Sequence, residues 1–118
     1  MKLLVLILNK ADLTENVLEA FADNGIKGAT VIDSTGMARV IGEYHDGVFL
    51  GSLRNFLDPE REHNKTIFTV IEDDQTEIVK KIIEDEIGDL SKPDTGILFT
   101  VPVDFVEGIA RTDERKKD

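Results

Sequence analysis

Cysteine is absent from this 118-residue chain. That excludes a disulfide scaffold, a thiolate metal site and a cysteine nucleophile, and it fits a reducing, cytoplasmic setting. Basic residues are scarce: 14 Lys and Arg against 24 Asp and Glu leave a formal net charge of −10. Nucleic acid or an anionic membrane surface demands a cationic face, so neither is an expected partner. No apolar run approaches the ~20 residues of a membrane span. Residues 1–8 are too short and too strand-like for a secretory signal, so no membrane insertion is expected. The common catalytic patterns are missing as well. There is no P-loop, no Ser-His-Asp order and no strand-borne carboxylate pair, since Asp33 stands alone at a strand end. The chain reads as a non-enzymatic protein. Its length is that of one domain burying roughly two thirds of its unfolded surface.

Residues 2–8 form a strand that is apolar from Leu3 onward, with Leu3, Val5 and Ile7 on one face and Leu4, Leu6 and Leu8 on the other. Asp12 with Glu15 resembles a capping box that opens a helix. Leu13, Val17, Leu18 and Phe21 supply its apolar stripe, and Asn24-Gly25 its stop. A short strand follows over 29–32. The signature then repeats: a β-branched strand over 66–71, Asp74 with Glu77 at a helix start, and a stripe of Ile78, Val79, Ile82, Ile83 and Ile87. Gly88 closes that helix, and a last strand over 96–101 ends at Pro102.

Two strand–helix–strand units in about 100 residues predict an α+β, ferredoxin-like βαββαβ sandwich: a four-stranded antiparallel sheet with both helices on one face. A long loop, 36–65, separates strands two and three. Residues 1–110 make one domain, and the charged tail 111–118, which lacks apolar residues, is expected to be disordered. Helices on one face leave the other uncovered, yet that face is apolar too. At ~1.5–3 kcal/mol per large side chain, leaving five or six of them wet would forfeit on the order of 10 kcal/mol, comparable to a domain's whole stability. The open face is therefore expected to pack against sister subunits, unless residues 36–65 fold across it.

The stretch Gly28-Ala-Thr-Val-Ile-Asp-Ser-Thr-Gly36-Met-Ala-Arg39 resembles the segment in nitrogen regulatory P-II proteins that ends strand two and enters their signalling loop. That segment typically reads Gly-x-Thr-Val, four variable residues, then Gly-Phe-Gly-Arg. The closing Gly96-Ile-Leu-Phe-Thr-Val-Pro102-Val-Asp104 is similar to the family's final strand and Pro-Val turn. The resemblance covers residues 1 to about 109. It implies a homotrimer with inward-facing sheets, a nucleotide bound in clefts between subunits, and a loop that docks on a target such as a membrane transporter or an enzyme.

The departures bear on the ligand. Ile97 stands where the family has the phosphate-binding lysine that follows its Gly-rich loop. Gly108 and Ala110 stand where two arginines reach the phosphates. Each lost cation–phosphate pair is worth a few kcal/mol at ~4 Å and an effective dielectric of ~20, so conventional ATP sensing is not expected. The residues that the resemblance leaves for an effector, an adenine nucleotide among the options, are Thr30, Gly36, Met37, Ala38, Arg39, Lys65, Gly88, Lys92, Gly96 and Arg111. Each has an ordinary structural reading beside it, as a turn glycine or a solvated surface charge.

Residues 36–65 are too long for an idle connection. Phe49, Leu53, Phe56 and Leu57 fall on one face of a short helix, with Arg54 beside them. That face packs on the parent domain or a neighbour, or docks a partner. Tyr44 is the only tyrosine, but its surroundings do not match the site at which the family is nucleotidylated. His45, Asp46, Glu62 and His63 could compose a metal site only if the loop brought them together, and loop histidines are usually solvated, so no metal site is expected. Two other families stay open as alternatives: CutA-like trimers of divalent-cation tolerance, and ACT-like metabolite-sensing domains, which usually dimerise.

Overall fold

The computed structural model describes residues 1–37 and 64–108. Tyr44, Phe49, Leu53, Arg54, Phe56 and Leu57, the histidine-carboxylate set, Ala38, Arg39, Arg111 and the tail 111–118 all lie outside the described residues.

The fold is the α+β, ferredoxin-like arrangement that the sequence predicts. Strand β1 (Lys2–Leu8) leads through a 3-10 turn to helix α1 (Thr14–Asp23), then to β2 (Thr30–Ser34). Strand β3 (Asn64–Ile71) leads through a second 3-10 turn to α2 (Thr76–Glu86), then to β4 (Gly96–Pro102). The strands lie in the order β2-β3-β1-β4, every neighbouring pair antiparallel. The most apolar strand, β1, is thus central, where both its faces are covered best.

One face of the sheet meets the helices. Leu4, Leu6, Leu8, Ile67 and Ile71 pack beneath Val17 and Phe21 of α1 and Val79, Ile82 and Ile83 of α2, all buried. Ile78, expected in the α2 stripe, is instead exposed, because Val79, Ile82 and Ile83 already fill the inward arc at spacings of three and one. Both expected helix starts are also displaced. Asp12 falls inside the 3-10 turn Ala11–Leu13 and makes no capping bond, while Thr14 Oγ1 donates to the Ala11 carbonyl at 2.7 Å. At the second helix the capping box joins Glu72 and Gln75, not Asp74 and Glu77. The 3-10 turn Asp73–Gln75 shifts the chain's entry, and the Glu72 N–H donates to Gln75 Oε1 at 2.8 Å.

Register defines the opposite face. Directly opposed residues share a side, which yields the rows Thr30–Phe68–Val5–Phe99, Ile32–Thr66–Ile7–Ile97 and Val70–Leu3–Val101. Central Val5 is only 5% exposed, shielded by its neighbours, but the edges are wet: Ile32 48%, Ile97 59%, Phe99 44% and Val101 44%. Beyond β4, Phe105 is also exposed. In the single chain, this apolar face is left without a cover among the described residues.

Candidate functional site

Of the described candidates, Gly36, Met37, Lys65 and Gly96 lie at one end of the sheet, where β1 finishes, β2 leaves, β3 enters and β4 begins. Leu8, last in β1, is opposed on one side by Lys65 and on the other by Gly96. Lys65 is in turn opposed by Asp33 of β2. These residues therefore form one rung, Asp33–Lys65–Leu8–Gly96. Gly36 lies just beyond β2, and a Cβ on it would stand 3.4 Å from Asn64 Nδ2. Met37 beside it is exposed. Thr30 is separate: it opposes Phe68, three residues along β3 from Lys65, on the open face.

Polar pairs lock the root of the long central segment. Asp33 accepts a hydrogen bond and ion pair from Lys65 Nζ. One residue on, Ser34 Oγ and Thr66 Oγ1 share a hydrogen bond of 2.7 Å, and Ser34 Oγ also lies 3.5 Å from the Asn64 carbonyl oxygen. The Asp33–Lys65 pair was not legible in the sequence, since its partners are 32 residues apart. Its one signal was an acidic strand end facing a basic strand start.

The loop before β4 is fixed from within. Gly88, at φ +107°, ends α2 in the left-handed region that glycine tolerates. Asp89 Oδ1 accepts from the Ser91 hydroxyl (2.7 Å) and the Ser91 N–H (2.9 Å). Those two bonds, the hydroxyl's first, hold the Asp89 carboxyl below the usual range. Buried Thr95 donates to the carbonyls of Leu90 (3.1 Å) and Lys92 (2.8 Å), while its own carbonyl accepts from the Asn9 N–H at 3.0 Å. Sequence reasoning missed Thr95, whose hydroxyl closes the turn. Lys92 is exposed on this loop.

Gly96 has a packing reason to be glycine. A Cβ there would lie 2.4 Å from the Ile7 carbonyl oxygen. Ile97, next in the chain, points to the open face in the row of Ile7. The rung therefore offers one strand-borne cation, Lys65, already paired with a carboxylate, while Ile97 lies on the opposite face of the sheet. A recess of about 220 Å³ lined by Asn16, Glu19, Ala20, Asp23 and Glu86 contains none of the candidates. Among the described residues no group of three or more His, Asp or Glu is placed to hold a metal ion, and no helix is long and apolar enough to cross a membrane.

A four-stranded antiparallel sheet, two helices on one face and a long insertion leaving from the candidate end place the molecule among small ferredoxin-like domains. The chain belongs to the nitrogen regulatory protein P-II family, whose model matches residues 1–114. That membership makes it a small regulatory signalling protein, and the family's proteins are regulators rather than enzymes. Members of the family form trimers and bind partner proteins. No curated protein matches the chain significantly.

Proposed function

We propose that this protein is a non-enzymatic, cytoplasmic, homotrimeric regulator. It binds a small effector in clefts between subunits and contacts a target protein, a membrane transporter or an enzyme, through residues 36–65. The observation that carries this reading is the apolar face opposite the helices, whose edge residues Ile32, Ile97, Phe99 and Val101 are solvated in the single chain. Covering them with a sister sheet recovers part of the ~1.5–3 kcal/mol that each large apolar side chain gains on burial. Thr30, on that face, then approaches a subunit boundary, while Lys65 and Gly96 lie at the end of the sheet on its helix side.

The effector is a ligand of low charge, an adenine nucleotide with few phosphates or a nucleoside. Ile97 and Gly108 supply no cation where the family places lysine and arginine, and Lys65 is already paired. Light scattering on the purified protein tests the assembly and should return three times 13.1 kDa. A monodisperse monomer or dimer overturns the trimer reading. Calorimetry with ATP, ADP, AMP and adenosine tests the ligand. ATP should bind no more tightly than the less charged compounds, and Mg-dependent submicromolar ATP binding would refute the assignment.

A further inference from the structure

We infer that Asp33 is an internal counter-ion that occupies Lys65 and thereby sets the charge of the effector this end of the sheet accepts. The inference rests on the effector-binding reading above and adds a specificity-determining residue to it.

The pairing is built into the sheet. Asp33 and Lys65 are directly opposed in the β2–β3 register, so their side chains leave the same face on adjacent strands. The next rung holds the strands together through Ser34, Thr66 and Asn64, which keeps Asp33 from moving away independently. The Lys65 side chain is 35% exposed and the Asp33 side chain 65%, so the pair is open to solvent and an incoming anion would meet both charges.

A phosphate that seeks Lys65 meets a competitor tethered through the backbone. Such a tether corresponds to an effective concentration of order millimolar or higher. A ligand present at micromolar concentration must displace it and then sit beside the expelled negative charge. The surroundings offer little compensation, because the chain carries net charge −10 and the other two members of the rung, Leu8 and Gly96, are uncharged. An uncharged nucleoside makes no demand on Lys65 and leaves the pair intact. The expected discrimination is therefore against anions rather than for a particular base.

Calorimetry at low ionic strength, with ADP and adenosine as probes, tests this on the full chain. Asp33→Asn keeps the side chain's size and an accepting oxygen while removing the charge. It should tighten ADP about fivefold to tenfold, as expected for releasing an exposed pair and removing a repulsion. Adenosine affinity should stay within twofold. The gain should fall away as salt rises and disappear in Asp33→Asn/Lys65→Met. Unchanged ADP affinity in Asp33→Asn, undetectable binding to both proteins included, overturns the inference, as does a gain that survives loss of Lys65. Asp33→Ser provides a second charge-removing variant, and thermal melts of each variant verify folding. Failure of the underlying reading registers separately, in the mass of the wild-type protein and in its own response to adenosine.

Discussion

Replacing Gly96 by alanine tests whether this residue is set by the sheet or by a ligand. The added Cβ would lie 2.4 Å from the Ile7 carbonyl oxygen, 3.4 Å from the Ile7 carbonyl carbon and 3.5 Å from Leu8 Cα. Carbon meets carbonyl oxygen comfortably at about 3.3 Å, so β1 and β4 would have to part by close to ~0.9 Å. None of the obstructing atoms belongs to a side chain that can rotate away. The φ of +157° adds strain, since residues with a Cβ rarely adopt it. Overpacking of this kind costs about 1–3 kcal/mol, and with the backbone term about 2–4 kcal/mol is expected. At an m-value of about 2 kcal/mol/M, the urea midpoint should drop by roughly 1–2 M at fixed protein concentration. Gly28→Ala is the control: nothing lies within 4 Å of its Cβ and its φ is not in the left-handed region. It should change stability by about 0.5 kcal/mol or less. A Gly96→Ala protein within about 0.5 kcal/mol of wild type, or a Gly28→Ala protein equally destabilised, would refute the close-approach account.

Thr95→Val keeps the shape of a buried side chain but removes the donor to Leu90 and Lys92, so urea unfolding should show a loss of about 1–3 kcal/mol; an unchanged midpoint would mean that the turn holds without its hydroxyl. The Asp89 carboxyl, held below the usual range by Ser91, lends stability that is present above its unfolded pKa of ~3.9 and is lost as pH falls through the lower folded value. Ser91→Ala should raise the Asp89 midpoint in an NMR titration, and a midpoint that stays put would exclude those bonds as the cause. Phe99→Asp puts a charge on the edge strand of the open sheet face, where burial in an assembly would leave it unpaired. It should convert the oligomer to folded monomer by light scattering, and a trimer of unchanged mass would place the interface elsewhere.

The fold was legible wherever apolar spacing dominated. Residues 2–8 have no polar interruption after Lys2, and the helix stripes through Val17 and Phe21, and through Val79 and Ile83, recur at helical spacing. Boundaries failed where polar residues serve structure. β2 extends through Asp33 and Ser34, which read as turn residues until their partners Lys65, Thr66 and Asn64 stand opposite. The acid-rich run 72–77 offers two capping-box frames, Glu72 with Gln75 and Asp74 with Glu77, and only the 3-10 turn selects between them. At the candidate site, chain position revealed Lys65 and Gly96 but not their neighbours. The constraint on Gly96 comes from a carbonyl of β1, and the partner of Lys65 from across a long insertion, so neither has a local signature.

The distribution of charge over the sheet links assembly to ligand. Along the rows Thr30–Phe68–Val5–Phe99, Ile32–Thr66–Ile7–Ile97 and Val70–Leu3–Val101 there is no ionisable side chain, in a chain of which 32% is charged. A face meant for water would tolerate charge at its edges, where Ile32, Ile97, Phe99 and Val101 lie, so its absence there supports the proposed burial between copies. The same choice bears on recognition. An isoleucine at position 97 extends the apolar row of Ile7 to the sheet edge, whereas a lysine there would put a cation on that open face, the side opposite the one from which Lys65 leaves. Position 97 cannot serve both ends, and here it serves packing. A phosphate-binding sheet would need the cation instead, so Ile97→Lys should improve ADP affinity while weakening the assembly. If that variant gains neither affinity nor a change in mass, the trade between packing and phosphate recognition at this edge does not exist.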